Sequence, residues 1–212
     1  MSTAQNLAYA RLRNAILKGA FAPGTQLRQE DLAEKFKMSR TSVRFAIQAL
    51  ADDGLVEIGD TRRSFVADVS LTRVEETYDI LSMLEPYSAG LAAERAGEQD
   101  VRELRKLIDQ MSETLDDDLA YLETNSKFHR KIHQLSGNPT LNELIDRIVD
   151  FPQTLYLKFG KSTESATANR DHARIVDAIE SGDKNLAILE MKLHIETRRR
   201  ESHDLWSKAM QT

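Results

Sequence analysis

Apolar residues recur every three or four positions along most of this chain, the spacing that places them on one face of an α-helix. In the first part of the chain this spacing predicts three helices, at Ala4–Lys18, Gln29–Phe36 and Ser39–Asp52. Gly19 and Pro23-Gly24 follow the first helix, and both residue types interrupt helices. Ser39 is a favourable N-cap for the third helix, which Gly54 ends.

A different spacing follows the third helix. Leu55–Ile58 and Ser64–Val69 alternate or cluster like short β-strands, and the polar segment Gly59–Arg63 between them suits a hairpin tip. The second and third helices are joined by a tight turn at Lys37-Met38. Three helices and a two-stranded hairpin predict a winged helix-turn-helix domain over residues 1–70, which presents its third helix to the major groove of DNA.

From Leu71 onward the helical spacing continues without a convincing strand. It predicts helices at about Thr72–Ala96, Glu98–Leu115, Leu119–Leu135, Pro139–Phe159, Ala168–Ser181 and Asp183–Met210. Short connections between helices are typical of antiparallel neighbours in a bundle. We therefore expect a mainly α protein, in which the winged domain is followed by an all-α antiparallel helical bundle over residues 71–212.

Charge is distributed unevenly over these two parts. Residues 1–51 contain eight Lys and Arg against three acidic residues, whereas residues 71–212 contain 19 basic and 26 acidic residues. Attraction to phosphates follows the local field rather than the net charge of −5, so the front of the chain is the expected nucleic-acid surface. The chain has no cysteine, no long apolar run and no secretion signal, and we expect a cytoplasmic protein with no membrane partner.

Arginines and small hydroxyls gather where the winged domain would face DNA. Arg40 and Arg44 are four residues apart and share one face of the third helix, and a guanidinium can pair with guanine or clamp a phosphate. Taken singly, such residues usually belong to a solvated face or an N-cap. Together they form the predicted DNA-binding set Arg28, Ser39, Arg40, Thr41, Ser42, Arg44, Arg62 and Arg63.

The chain also resembles a known family in several separate segments. These are Asp31–Arg44, Leu50–Val56, Phe128–Ile132, Ser136–Pro139, His172–Ile179 and Met191–His194. In them the sequence is similar to the GntR family of bacterial transcription regulators, in its FadR-type branch with a C-terminal FCD ligand-binding domain. The resemblance implies a homodimer that binds a two-fold operator and changes its DNA affinity when a small molecule enters the C-terminal bundle.

Some positions depart from the family pattern. Ser42 and Phe45 replace a usual Pro and Glu, Arg63 replaces a wing Gly, Leu81 replaces an Arg, and Asn125 replaces an Asp of the metal site. The first three bear on which DNA sequence is preferred. The last two bear on the identity of the effector and the metal.

Three histidines and an amide fall on apolar faces of the C-terminal helices. Asn125 and His129 are one turn apart on the third helix of the bundle, and His172 and His194 lie among apolar residues of the two last helices. Neutral imidazoles suit zinc, nickel or manganese-type ions, and an amide oxygen can be a hard ligand. We expect these four residues to share one metal site, of which the ion stays open.

Two other interpretations of the histidines remain. They could be separate core residues, each satisfied by a hydrogen bond, or they could hold a carboxylate directly in a metal-free pocket. Arg198 follows His194 by one turn and is the candidate anchor for an effector carboxylate. His133 and His203 are expected to be peripheral.

The leading hypothesis is a DNA-binding transcription repressor, not an enzyme, whose operator affinity is changed by a small organic acid with or without a metal. The first alternative is a metal-dependent hydrolase, because three imidazoles with an open position can activate water. Against it, no His-Glu-x-x-His pattern and no general base accompany the histidines. The second alternative is an architectural DNA-binding dimer without an effector.

Overall fold

The computed structural model describes residues 3–17, 19–59, 61–67, 71–146, 148 and 165–209. The chain divides into two compact units, Met1–Ser70 and Leu71–Thr212. In the described ranges the structure is mainly helical with one two-stranded sheet, which confirms the predicted fold class. None of the described helices is long and apolar enough to cross a bilayer.

The first unit has the predicted order of elements, which is α1 (Thr3–Leu17), α2 (Gln29–Phe36), α3 (Arg40–Asp52), β1 (Val56–Ile58) and β2 (Ser64–Val66). Apolar side chains from all three helices, including Leu12, Leu32 and Val43, are buried in its core. The strands pair antiparallel, with Val56 opposite Val66. Both strands are shorter than predicted, and the predicted end at Val69 lies outside the described residues.

The second unit consists of helices in the described ranges, namely α4 (Leu71–Ala93), α5 (Glu98–Glu113), α6 (Asp118–Leu135), α7 (Pro139–Asp146), α8 (Ser165–Glu180) and α9 (Lys184–Ala209). The predicted helix Pro139–Phe159 is present as far as Asp146, and its second half lies outside the description. Phe128, Ile132 and Met191 are fully buried in the core of this unit.

Helices α4 and α9 lie side by side and run antiparallel. Lys184 at the start of α9 bonds Glu94 just beyond the end of α4, whereas Ser202 late in α9 lies 3.0 Å from the hydroxyl of Tyr78. The helices approach closely at Gly90, where an added Cβ would lie 2.7 Å from Cγ1 of Ile188. That separation is shorter than two carbon atoms tolerate, so the side chain of Ile188 occupies the space that a Cβ at position 90 would need.

Candidate functional site

Helix α3 begins with a cap built from its own serines. Ser39 Oγ accepts a hydrogen bond of 3.1 Å from the backbone N–H of Ser42, and the two hydroxyl oxygens are 2.9 Å apart. Ser39 is exposed, but Ser42 is only 7% exposed. An N-cap bond of this kind stabilises a helix by about 1 kcal/mol. Ser42 therefore stabilises the first turn of α3. It is the one member of the predicted DNA-binding set that is buried.

The other predicted contacts on this unit lie at its surface. Thr41 and Arg44 are exposed on the first turns of α3, and Arg28 is exposed just before α2. Arg40 is exposed and forms an ion pair with Glu30 of α2. The turn between α2 and α3 is closed by Lys37, whose left-handed φ of 53° ends α2.

The tip of the β-hairpin is held by its backbone. The N–H of Gly59 donates to the carbonyl of Arg63 at 2.9 Å, and the N–H of Arg62 donates to the carbonyl of Gly59 at 2.8 Å. Arg62 has a left-handed φ of 57°, which few residues other than glycine adopt. Both arginine side chains are exposed. Their role at DNA, like that of the α3 residues, stays a prediction.

The structure brings the three predicted histidines together inside the second unit. His129 of α6, His172 of α8 and His194 of α9 are buried, and one ring nitrogen of each lies within 4.8 Å of the others. The ring centres of His172 and His194 are 4.7 Å apart, and both lie within 5.4 Å of the ring centre of His129. We call this group the histidine cluster.

Several nitrogens of the histidine cluster lack hydrogen bonds. Both ring nitrogens of His172 and Nδ1 of His194 are buried and find no partner within the described part of the chain. Burial lowers the pKa of both imidazoles well below the ordinary value, and their neighbours, including His129 and the Arg198 cation, lower it further. The neutral imidazole therefore predominates at neutral pH, which is the form that ligates metals.

The donor set fits a metal ion. Metal–nitrogen bonds of about 2.0–2.1 Å in a tetrahedral site place ligand nitrogens roughly 3.3 Å apart. Separations of at most 4.8 Å approach this value, so small ring movements would complete a site. An unsatisfied buried polar atom costs about 1–3 kcal/mol, and a bound cation would satisfy several at once. The alternative of separate, hydrogen-bonded core histidines does not match this geometry.

Two further residues, Glu85 and His133, lie at the histidine cluster, where the sequence did not predict them. Glu85 of α4 is 2% exposed, and its Oε2 lies 2.8 Å from Nδ1 of His129. His133 is 1% exposed, and its Nε2 lies 3.4 Å from the same oxygen without the direction of a hydrogen bond. The expectation that His133 is peripheral was wrong, because α4 covers that face of α6. His203 is exposed, as expected.

Burial and electrostatics act against each other at Glu85. Desolvation raises the pKa of its carboxyl, while His129, through its charge and its hydrogen bond, and the nearby ring of His133 lower it. The effect of the two histidines outweighs that of desolvation, so the pKa of Glu85 lies well below the ordinary value of a glutamate. Glu85 is thus an anion at neutral pH in the wall of the histidine cluster. The only signal in the sequence is a charged residue on the apolar face of α4 that also carries Leu81.

The remaining predicted site residues adjoin the histidine cluster. Asn125 lies one turn before His129 on α6 and is partly buried. Arg198 lies one turn after His194, is 16% exposed at its side chain, and pairs with both carboxylate oxygens of Glu201 at 2.6 Å. Asp171 lies between His194 and Arg198, and its Oδ2 is 4.0 Å from Nδ1 of His194 and 3.9 Å from the guanidinium of Arg198. The roles of Asn125 and Arg198 stay predictions.

Comparison with known proteins agrees with both halves of this structure. The family described as "Bacterial regulatory proteins, gntR family" matches residues 4–66, and the FCD domain matches residues 76–197. The chain belongs to the GntR family. Its FCD domain contains the histidine cluster, and the GntR match contains α3 and the hairpin.

Relatives of this GntR protein are regulators, and the similarity extends over most of the length of both chains. It is 26% identical over 190 residues to the HTH-type transcriptional regulator YdhC of Bacillus subtilis, with 88% of this chain and 85% of the relative covered. It is 26% identical over 198 residues to the galactonate operon transcriptional repressor of Escherichia coli, covering 83% and 86%. The structure of E. coli McbR/YncC has the same fold, with a TM-score of 0.83, 21% identity, and coverage of 97% and 100%.

These matches make the GntR protein a transcription regulator. Regulators of this kind are a non-enzymatic class, so the metallohydrolase alternative is not favoured.

Proposed function

We propose that this regulator is a repressor whose operator affinity changes when a small organic acid binds with a divalent metal at the histidine cluster. The observation that carries the proposal is the cluster itself, in which three buried imidazoles from three helices converge and leave ring nitrogens without partners. A related repressor of the galactonate operon supports the direction of regulation.

The donor set favours a borderline ion of the zinc, nickel or manganese type. Imidazole nitrogens suit zinc and nickel, and the amide of Asn125 would add an oxygen donor from the preceding turn of α6. Three imidazoles in their ligating form and an amide carry no charge, so these four ligands themselves do not compensate the charge of the ion. An anionic ligand in an open position would neutralise part of it, which favours a carboxylate effector.

Arg198 supports the same effector class. Its guanidinium lies one turn from His194, and Asp171 and Glu201 already hold it in place. A carboxylate on the metal would come within reach of this fixed cation. A hydrogen bond between them would be charge-assisted, and such bonds are strong in partly buried sites. Effector binding would favour one packing of the bundle, and about 1–3 kcal/mol of coupling is enough for a useful change in DNA affinity.

The winged unit supplies the DNA contacts in this proposal. Arg40, Thr41 and Arg44 would enter the major groove on α3, and Arg62 and Arg63 would flank it from the hairpin. Arg28 and Ser39 would contact phosphates. A regulator that binds chromosomal DNA would work in the cytoplasm, and we include this location in the proposal.

We further propose a homodimer formed through the outer faces of α4 and α9. Ile80, Met83 and Tyr87 are 46%, 66% and 48% exposed on one face of α4. One face of α9 exposes three leucines, at positions 186, 189 and 193. Apolar stripes on two adjacent helices suit an isologous interface, in which the same patch of both copies is buried. A two-fold operator requires such a dimer.

The experiment selects genomic fragments with the purified protein and then measures its affinity for the selected fragment with and without organic acids and chelator. The expected result is specific binding, a metal detected by native mass spectrometry, and a change in affinity of tenfold or more with at least one acid. His194→Ala should abolish the response to the acid while metal-free DNA binding persists. Specific binding that no acid and no chelator alters would overturn the effector, and leave an architectural DNA-binding protein.

A further inference from the structure

Glu85 connects the histidine cluster to a second group of buried polar side chains. Ligand atoms of Glu85, His129 and His133 all lie within 4.8 Å of one another, and all three side chains are buried. His129 belongs to both groups, because its Nδ1 lies 2.8 Å from Oε2 of Glu85 and one of its ring nitrogens lies within 4.8 Å of ligand nitrogens of His172 and His194. The resemblance to the family assigned no role to this carboxylate.

The hydrogen bond from His129 fixes the form of its ring. An ionised carboxylate only accepts hydrogen bonds, so Nδ1 of His129 must be the donor in this pair. In a neutral imidazole the proton on Nδ1 leaves Nε2 with a free lone pair. Histidine ligands of metals commonly donate their second N–H to a carboxylate in this way, which fixes the ring orientation and raises the basicity of the ligating nitrogen.

The same carboxylate provides charge that the ligands lack. Imidazoles in their ligating form and the amide of Asn125 bring no charge to a metal. An incoming divalent ion would therefore enter an uncharged ligand set whose histidines are at most 5% exposed. Asp171 also faces the cluster, 4.0 Å from His194, but it lies between Arg198 at 3.9 Å and Arg174 at 3.7 Å, so nearby cations offset its charge. Glu85 contacts only histidines among the pairings the structure describes.

We propose that Glu85 is a positioning residue for the metal, which turns Nε2 of His129 toward His172 and His194 and supplies the negative charge that Asn125 does not. This inference rests on the proposed metal site. It assigns the ligands to α6, α8 and α9, and the compensating anion to α4.

The test compares zinc affinity in wild type and Glu85→Gln, measured by competition with a chromophoric chelator. Glutamine keeps the shape and an oxygen acceptor for Nδ1, but it removes the charge. We expect zinc to bind 10–100-fold more weakly, as is typical when the partner of a ligating histidine is altered. The cobalt-substituted variant should keep the absorption bands of the wild type, since the ligands are unchanged. The control is Glu94→Gln, which neutralises an exposed carboxylate just beyond α4 and should leave zinc affinity unchanged.

Rescue by a second carboxylate separates charge from simple support of the fold. Asn125→Asp places an anion one turn before His129, and in the Glu85→Gln background it should recover at least tenfold in zinc affinity. No recovery would overturn the compensating charge. If Glu85→Gln is recovered unfolded, Glu85→Asp replaces it, because that variant keeps the charge but withdraws it from Nδ1 and should weaken zinc binding several-fold.

The outcomes distinguish this inference from the proposed function. Equal zinc affinity in wild type and in the Glu85 variant overturns the role of Glu85 and leaves the metal site standing. A wild-type protein that binds no zinc, nickel or manganese overturns the metal site itself, and the role of Glu85 with it.

Discussion

Arg40 in the first turn of α3 forms an ion pair with Glu30 of α2, while the two side chains remain 65% and 62% exposed. The pair links the two helices that form the helix-turn-helix. An exposed pair of this kind contributes about 0–1 kcal/mol, so it orients the guanidinium without holding it away from other anions. In the DNA complex that we propose, Arg40 would exchange Glu30 for a phosphate or a guanine.

Removal of the Arg40 side chain should weaken DNA binding, whereas removal of the charge of Glu30 should strengthen it. Arg40→Ala should weaken binding to the selected operator by about 1–3 kcal/mol, the range for loss of one bidentate base contact. Glu30→Gln should tighten it, because a negative charge leaves the interface. Fluorescence anisotropy titrations at fixed salt measure both, with circular dichroism as a check on folding. An Arg40→Ala protein with wild-type footprint and affinity would remove this residue from the interface.

The hairpin arginine Arg62 should contribute through phosphate contacts. Arg62→Gly removes the cation while glycine adopts the left-handed φ of 57° without strain. Because each neutralised phosphate contributes about 0.9 to the slope of log K against log salt, the slope should fall by about 1. Arg102→Gln, an exposed α5 variant in the second unit, is the control. A salt slope that is the same in all three proteins would contradict a phosphate contact.

Acid should destabilise the metal-free protein through His172 and His194. Their pKa values lie well below 6.5 in the folded state and near 6.5 in the unfolded chain, so only the unfolded chain takes up protons as the pH falls below about 6.5. The free energy of unfolding should be at its full value above that pH, and should fall below it by up to about 1.4 kcal/mol per pH unit for each histidine.

Denaturant titrations at pH 7.5 and 5.5, with chelator present, measure this dependence on pH. His172→Leu should remove about half of it, whereas His203→Gln, at an exposed position, should leave it unchanged. The lowered pKa of Glu85 adds a further loss only below about pH 4.5, in the same direction. A free energy of unfolding that stays constant from pH 7.5 to 5.5 would show that the two imidazoles accept protons freely in the fold.

The exposed leucines of α9 should hold the dimer together. Leu189→Glu places a charge in the middle of the apolar stripe and should convert the dimer to monomer in sedimentation velocity experiments, with loss of tight operator binding. Lys192→Glu changes an exposed position of the same helix and serves as the matched control. A Leu189→Glu protein that sediments as a dimer would place the interface elsewhere.

Helical periodicity was sufficient to predict most elements, because each helix has a local amphipathic signal. The limits of α2 were predicted without error, and those of α6 to within one residue. The convergence of His129, His172 and His194 was also predictable, since each lies on the apolar face of its own helix. Glu85 was not, because its meaning depends on the packing of α4 against α6, which no local spacing reveals.

Local chemistry also misled at two positions. Ser42 carries a hydroxyl suited to DNA, but it occupies the third position after the cap residue, where a small polar side chain can instead be buried beneath the helix start. His133 lies at the edge of the apolar stripe of α6, and only the cover provided by α4 makes it an interior residue. The burial of Ser42 therefore depends on its place in the cap, and that of His133 on the helix packed against α6.

The close approach at Gly90 sets the distance between α4 and α9. Glu85 precedes Gly90 on α4, and His194 follows Ile188 on α9. Because the two helices run antiparallel, the lack of a methyl group at Gly90 also sets their spacing at these two side chains, just over one helical turn along. Alanine at position 90 would have a helix propensity about 1 kcal/mol more favourable than that of glycine, but its methyl group would push α4 and α9 apart. The hydrogen atom that glycine carries in place of a methyl group thus sets the separation of the two helices that carry Glu85 and His194.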